Sequence, residues 1–343
     1  MILVTGGTGL VGSHLLYRLA NEGKKVKAIY RRAHKLESTK HVFSYYSENW
    51  ESLYNTIEWV EADITNIPKL QDAFKDITYV YHCAAFISFE PDKYKVLRKI
   101  NIKGTANIVN LCISLKVKKL CYVSSIAAIG QTNNHEDLIT ETTPWNPEED
   151  NSVYAITKYG AELEVWRGSQ EGLDVIVVNP GIILGSGFWH GGGSGSLFKQ
   201  IYKGLSFYTE GGSAYVDVYD VIDIMILLMQ SEIKNEGFIL VAENLLFKDF
   251  NRRTAEALNV TKKQKLIKPW QLHILWRLDW LNHKLFRKRR KLSRQLVKTI
   301  TSVTKYDNSK LKLALDYEFT PIEESIKKVS KLFLKDLNSS FLF

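Results

Sequence analysis

TGGTGLVGSHLL, residues 5–16, decides how this chain is read. The apolar run MILVT (1–5) leads straight into it, and a helix-period segment at about 10–22 leaves it. Gly6, Gly9 and Gly12 fall three apart. A tight turn from strand to helix needs a residue that tolerates positive φ. A pyrophosphate needs backbone with no side chain in the way, and a third glycine lets the helix lie close to the sheet. The amino end of the helix then favours the phosphate charge. Three glycines alone are a weak signal, but the strand before and the helix after make this a dinucleotide-binding turn. His14, just inside the helix, reads as a packing residue rather than a ligand.

Outward from the turn, short apolar runs alternate with helix-period segments. KVKAIY (25–30), IEWVEA (57–62), ITYVYHCA (77–84), KKLCYVSS (118–125) and DVIVVNP (174–180) read as strands. Helices are expected at about 68–75, 92–116 and 152–168. Such alternation predicts an α/β fold of Rossmann type, a doubly wound parallel sheet, with ligands at the carboxyl ends of its strands. Residues 33–56 exceed a plain connection and are rich in aromatics, which predicts one extra helix on the rim. From about 181 the alternation decays; FWHGGGSGS (188–196) reads as a flexible loop with Trp189 as a mobile gate, and the chain beyond 245 reads as mostly helical. The expected division is a dinucleotide-binding domain, 1–180 with roughly 214–242, and a smaller, mainly helical substrate lobe, 181–213 with 243–343.

Composition sets outer bounds. The chain has 343 residues, 45% hydrophobic and 24% charged, enough to bury a full core and too apolar for disorder to dominate. Its net charge of +9 comes with no DNA- or RNA-binding pattern, so no nucleic-acid partner is expected. Cys83, Cys112 and Cys121 show no metal-like spacing and read as buried reduced thiols, with no metal site expected. Met1 runs directly into a core strand, and the longest apolar stretch, IMILLM (224–229), is too short to span a bilayer. A cytoplasmic protein is expected.

An NAD site would place Asp or Glu at the end of the second strand, to hold the ribose hydroxyls. This chain has Tyr30, Arg31 and Arg32 there. A guanidinium pairs with a 2′-phosphate that a carboxylate would repel, so NADP is preferred over NAD, unless both arginines simply face water. Asp63 and Ile64, after the third strand, are placed to meet the adenine edge, although Asp is also a common turn residue there.

With these pieces in view, the sequence resembles the extended short-chain dehydrogenase/reductase family. TGGTGLVG, EADIT, HCAAF, INIKGT, YVSSIAAIG, YAITK and the late YDNSKLKLALDYEFTP follow its motifs in order and cover almost the whole chain. The nearest-looking branch holds dihydroflavonol-reductase-like and hydroxysteroid-dehydrogenase-like proteins. The resemblance implies cofactor contacts from Gly6, Gly9, Leu10, Val11 and Gly12, from Ala84 and Ala85 in HCAAF, and from Asn101, Lys158 and Pro180; helix packing is an equal reading for Asn101. It implies a catalytic set of Ser125, Tyr154 and Lys158, with Ser124 as the spare serine. Tyr154 stands 29 residues after Ser125, and its four-residue offset puts Lys158 on the same helix face. A nearby ammonium favours the phenolate, and a downward shift of ~3 pKa units corresponds to about 4 kcal/mol. Tyr154 would then protonate the substrate oxygen as hydride arrives, with Ser125 orienting it and Lys158 holding the nicotinamide ribose. A second Tyr–Lys pair, Tyr306 and Lys310 in YDNSK, reads as structural, since Asp or Ser before a helix is a capping signal.

The residues around this set narrow the reaction. Ser125 is followed by Ile126 and Ala127, where dehydratases of the family carry an acidic pair. EGGSAYVDVYDV (210–221) lacks the arginine that sugar-nucleotide enzymes use on a diphosphate, while Asn179 before Pro180 resembles an asparagine that touches it in some epimerases. WQLHILWRLDWLNHKLF (270–286) carries Trp270, Trp276 and Trp280 with Ile274, Leu278, Leu281 and Leu285 at helical spacing. Such a stripe is usually core; a lid over an apolar substrate is the second reading. A basic amphipathic helix on anionic lipid, completed by RKRRK (287–291), is the third. The expectation is an NADP(H)-dependent oxidoreductase reducing a carbonyl, or oxidising the alcohol, of a hydrophobic small molecule. A sugar-nucleotide epimerase is the alternative, and a dinucleotide-binding sensor without turnover the further one. The resemblance also implies a homodimer through the 92–116 and 152–168 helices.

Overall fold

In a computed structural model, described over residues 1–132, 138–190, 193–262, 264–286 and 292–338, the chain lays down a seven-stranded parallel sheet in the order β10-β6-β5-β4-β1-β2-β3. It opens with β1 (Ile2–Thr5), α1 (Leu10–Asn21), β2 (Val26–Tyr30), α2 (Leu36–Phe43), α3 (Trp50–Asn55), β3 (Glu58–Glu61) and α4 (Ile67–Ala73). It then crosses back to β4 (Tyr79–His82) and continues through α5 (Tyr94–Leu97), a π-helical stretch (Arg98–Lys103), α6 (Gly104–Ser114), β5 (Lys119–Val123), α7 (Val153–Gln170) and β6 (Asp174–Pro180). Strand order thus reverses between β1 and β4, which opens a crevice at their carboxyl ends.

The inner strands β1, β2, β5 and β6 form because each is a short apolar run buried on both faces, while the edge strand β3 keeps Glu58 and Glu61 exposed. One face of the sheet is covered by Leu15, Leu16, Phe43, Tyr54, Val221 and Met225, the other by Leu70, Ile108, Val109, Ala161 and Val165. The sheet is therefore doubly wound, as expected. Residues 33–56 form two short helices rather than one: α2 ends where the Ser44 hydroxyl donates to the His41 carbonyl, and α3 restarts after a polar turn. Phe43 and Tyr54, one from each, pack edge to face in the core.

Beyond β6 come β7 (Ile182–Leu184), α8 (Ser194–Tyr202), β8 (Phe207–Tyr208), β9 (Gly212–Asp217), α9 (Val218–Gln230), β10 (Glu236–Leu240), β11 (Glu243–Leu246) and α10 (Phe247–Ala257). They are followed by β12 (Lys265–Leu266), α11 (Pro269–Phe286), α12 (Arg294–Thr301), α13 (Ser309–Leu315) and α14 (Ile322–Asn338). Within 214–242, α9 packs on the large sheet and β10 extends it beside β6, while β9 joins β7 and β11 in a separate three-stranded sheet. Phe198, Tyr215, Phe250, Ile326 and Phe333 build a second core under that small sheet, and the C-terminal region is mainly helical.

Two expectations are overturned here. Trp189 is no gate: it is 3% exposed, meets Phe333 edge to face at 5.1 Å, and donates its indole N–H to Asp336 at 2.7 Å. A ring fixed by both packing and a buried hydrogen bond does not swing. The α11 stripe is not core either, because Leu272 alone among the described residues of that helix is buried. RKRRK lies outside the described residues. No helix among the described residues is long and apolar enough to cross a membrane.

Candidate active site

The glycine turn sits at the mouth of the crevice. Gly6 has φ +70°, and a Cβ there would stand 2.6 Å from the Ala84 nitrogen, so β1 and the end of β4 meet with no room for a side chain. Gly12 is tighter: its Cβ would fall 2.2 Å from the Gly6 carbonyl oxygen, which folds the first turn of α1 back on the loop. A Cβ on Gly9 would touch only that same oxygen, at 3.3 Å, and otherwise face open space. Leu10 and Val11 follow as the first residues of α1, whose first turn has no acidic side chain and no side-chain cap. Unpartnered amides, positive helix end and bare backbone suit a diphosphate. Ala84 is held in place as its N–H donates to Thr5 Oγ1 at 3.2 Å, and Ala85 beside it is exposed.

Arg31 and Arg32 follow β2 on the exposed rim, with Arg31 3.7 Å from Asp63. Asp63 also accepts from the Thr65 N–H and hydroxyl at 2.9 and 2.8 Å. Burial works against its charge, yet these bonds and Arg31 outweigh it and hold the carboxyl below its usual range. Asp63 is thus turn residue and arginine tether at once. Ile64 beside it is buried, against Gly104.

The reacting groups project from β5 and α7. Ser152 caps α7 by accepting the Ala155 N–H at 3.1 Å, which sets Tyr154 in the first turn. Tyr154 is 8% exposed, with the Ser125 hydroxyl beside its phenol and the Phe89 ring 5.3 Å away, edge on. Ser125 opens a short 3₁₀ turn, while the hydroxyl of Ser124 is consumed by Glu162 at 2.6 Å. That contact separates the two serines: only Ser125 faces the phenol. Lys158, 1% exposed, donates to Tyr122 Oη at 2.7 Å and the Val123 carbonyl at 2.8 Å. Beneath it His82 is clamped between Thr5 and Thr105, and burial, then Lys158, lowers its pKa to about 3. A neutral imidazole adds no competing charge.

The expected acidification of Tyr154 by Lys158 is not what this arrangement produces. Burial pushes the phenol up to about 12, relieved in part by the Ser125 hydroxyl. Burial likewise brings Lys158 down to about 7, against the opposing pull of Glu162 and then Cys83. Desolvation dominates both enclosed groups, and the Lys158 amine is directed to Tyr122 and Val123. The result is a tyrosine held as a proton donor and a lysine poised to change charge near neutrality.

Several of the residues singled out from the sequence are engaged within the protein. Asn101 exposes no amide for a ligand: its Oδ1 accepts the Phe86 N–H at 2.8 Å, and Nδ2 donates to the Phe86 carbonyl and Thr157. It clamps the loop after β4 to α7, the packing role. Asn179 donates to the Ser125 carbonyl at 3.1 Å and Glu162 at 2.9 Å, so its amide faces inward rather than toward a diphosphate. Pro180 ends β6 behind it. In the second Tyr–Lys pair, Lys310 reaches the Gly237 carbonyl, while Tyr306 is bound through its backbone to Asn244. The sequence reading missed Glu162, Tyr122 and Phe89. Glu162 had a signal, falling four residues after Lys158 on the same face; Phe89, on a loop, had none. A cavity of about 480 Å³ lined by Met1, Lys24, Tyr79 and Met229 lies at the amino ends of the strands, away from all this chemistry.

Fold and site together define an NAD(P)-dependent enzyme of the extended short-chain dehydrogenase/reductase type. The sequence matches the NAD dependent epimerase/dehydratase family over residues 2–242, and the chain belongs to that family. It is 26% identical to "Sterol demethylase protein B" of Methylococcus capsulatus, over 71% of this chain and 70% of that one. It is 27% identical to a "Putative dihydroflavonol 4-reductase" of Synechocystis, over 71% and 68%. The fold is similar to that of a UDP-glucose 4-epimerase from Thermotoga maritima, with TM-score 0.77, 22% identity and 98% and 99% of the two chains covered. The chain binds a nicotinamide dinucleotide and acts on a small molecule, as its family does.

Proposed function

We propose that this protein is an NADP(H)-dependent reductase of a carbonyl on a hydrophobic small molecule, or the dehydrogenase of the corresponding alcohol. The observation that carries this reading is Tyr154: a protonated phenol beside the Ser125 hydroxyl, with the Phe89 ring edge on against it. The dinucleotide, when bound, supplies the hydride. Ser125 holds the carbonyl oxygen by a hydrogen bond, Tyr154 Oη gives that oxygen its proton, and Lys158, fixed by Tyr122 and Val123, presents positive charge to the same corner. Preference for NADP rests on Arg31 and Arg32 at the rim and on the absence of a carboxylate at the end of β2. Relatives named as reductases at 24 to 27% identity agree with the direction of this reading. Asn179, whose Nδ2 is engaged by the Ser125 carbonyl and Glu162, supports the reductase reading over a sugar-nucleotide epimerase. Val96, Ile156 and Leu163, exposed on α5 and α7, suit a homodimer, which light scattering of the purified protein would measure.

The test is consumption of NADPH and NADH by the purified protein with apolar aldehydes and ketones and, in parallel, nucleotide sugars. NADPH oxidation with an apolar carbonyl is expected. Tightly held NAD with sugar isomerisation would overturn the reading. In the Arg31→Ala, Arg32→Ala double variant, preference for NADPH should fall about tenfold or more, as loss of a charge-assisted pair implies; unchanged preference would refute the phosphate contact.

A further inference from the structure

We propose that α11 is a docking face for the surface of an anionic lipid bilayer. Trp270, Ile274, Leu278, Leu281 and Leu285 are each between 43% and 63% exposed. At about 100° per residue these five side chains fall within an arc of roughly 80°. The one buried residue, Leu272, and Asp279, which accepts the Leu292 N–H at 3.2 Å, lie on the opposite side. The helix is therefore held by its back and presents a continuous apolar front. Exposed His273, Arg277 and Lys284 line one edge of that front. Arg277 and Lys284 lean over the rings of Trp276 and Trp280 at 4.8 and 5.2 Å.

Charge selects the partner. Residues 261–300 hold thirteen lysines and arginines and a single acidic residue, Asp279. That excess is larger than the net +9 of the whole chain, so the remainder of the protein is slightly acidic and the positive charge is concentrated in the stretch of sequence that carries this helix. A protein partner of mixed charge, or a second copy of this face, would meet like charge or leave it unpaired. A sheet of anionic headgroups over an acyl layer matches both the front and its basic surroundings. An interfacial helix uses the same combination, burying apolar side chains at the headgroup boundary while long cationic side chains reach the phosphates. The helix is not apolar enough to cross, so the contact is peripheral.

The experiment is co-sedimentation of the full chain with vesicles of phosphatidylcholine alone and of phosphatidylcholine with 30% phosphatidylglycerol, at low and at roughly physiological salt. Binding to the anionic vesicles, at least about tenfold stronger than to neutral ones and weakened by salt, is expected. The Leu278→Ser, Leu285→Ser variant should lose most of it, as should Arg277→Gln, Lys284→Gln. All four side chains are exposed, so thermal unfolding should stay unchanged and report that the variants fold. Failure of the parent chain to sediment with anionic vesicles overturns the proposal. So does equal retention by a single-stranded oligonucleotide that survives the serine substitutions, or a dimer that those substitutions dissolve. Turnover of soluble carbonyls is measured alongside, so that loss of lipid binding and loss of catalysis are told apart.

Discussion

At the scale of single residues, the site is governed by burial. Tyr154 is kept protonated with its pKa near 12, and Lys158 loses its charge near 7. Carbonyl reduction needs the phenolic proton and benefits from the ammonium, so its rate should fall as pH rises through about 7, long before Tyr154 ionises. A pH profile of single-turnover reduction checks this; in Lys158→Met the limb should vanish and the rate stay low throughout. The linkage has a definite sign. Lys158 is depressed in the folded protein, so between about 7 and 10.5 the unfolded chain binds more protons and stability rises with pH across that window. Tyr154→Phe removes the donor and should lower turnover by about 10²–10⁴-fold while leaving dinucleotide affinity, read by nucleotide fluorescence, within about twofold. Ser125, Tyr154 and Lys158 were singled out by resemblance, on the separate motifs YVSSIAAIG and YAITK, and the fold brings Ser125 and Tyr154 side by side. The direction of the tyrosine shift was not legible, because it depends on enclosure by Phe89 and on where the Lys158 ammonium is spent.

At the scale of elements, the turn between β1 and α1 separates two jobs that its glycines share in the sequence. A methyl group on Gly12 would meet backbone at 2.2 Å, which neither rotamer change nor small shifts relieve. Gly12→Ala should cost about 1–3 kcal/mol or more of stability and abolish dinucleotide binding. On Gly9 the same methyl would press only on the Gly6 carbonyl oxygen, at 3.3 Å, which a shift of a few tenths of an ångström relieves, and otherwise faces the space where a diphosphate would approach. Gly9→Ala should keep its unfolding temperature within a degree or two and still weaken nucleotide binding about tenfold or more. Unfolding curves and nucleotide titrations on the pair decide it; equal loss of stability in both would refute the division. The inner strands of the large sheet were legible because each is a short run buried on both faces. The three-stranded sheet was not, since β7, β9 and β11 are brief and pair across long intervening segments. The α11 stripe has the period of a core helix, and periodicity alone does not say whether an apolar face meets protein or something else.

At the scale of the whole molecule, the carboxyl-terminal helix α14 is stitched to the amino-terminal half through one carboxylate. Asp336 is 1% exposed, and it accepts from Trp189 Nε1 at 2.7 Å, lies 2.8 Å from His41 Nε2, and accepts the Tyr45 hydroxyl. These partners stand 147, 295 and 291 residues away in the chain. No local pattern could reveal that convergence, although the apolar spacing of Ile322, Ile326, Val329 and Phe333 marks α14 as core-facing. Burial opposes the Asp336 charge, but the bonds from His41, Tyr45 and Trp189 prevail and hold the carboxyl below its usual range. A depressed carboxylate stabilises the fold above its unfolded pKa, and that contribution is lost as pH falls through the lower folded value. Asp336→Ala would take the shared acceptor from Trp189 and from the His41–Tyr45 pair, which keep each other, and should cost about 1–3 kcal/mol, lowering the unfolding temperature by a few degrees. The Ser125–Tyr154–Lys158 set lies on other elements, so turnover at a temperature where the variant is folded should stay close to that of the parent. Unfolding followed from pH 7 down to 3 should show the gap between parent and Asp336→Ala narrowing only at the acid end. A gap that stays constant with pH would mean that the carboxylate charge contributes nothing and that apolar packing of α14, Trp189 against Phe333 included, is what anchors the helix.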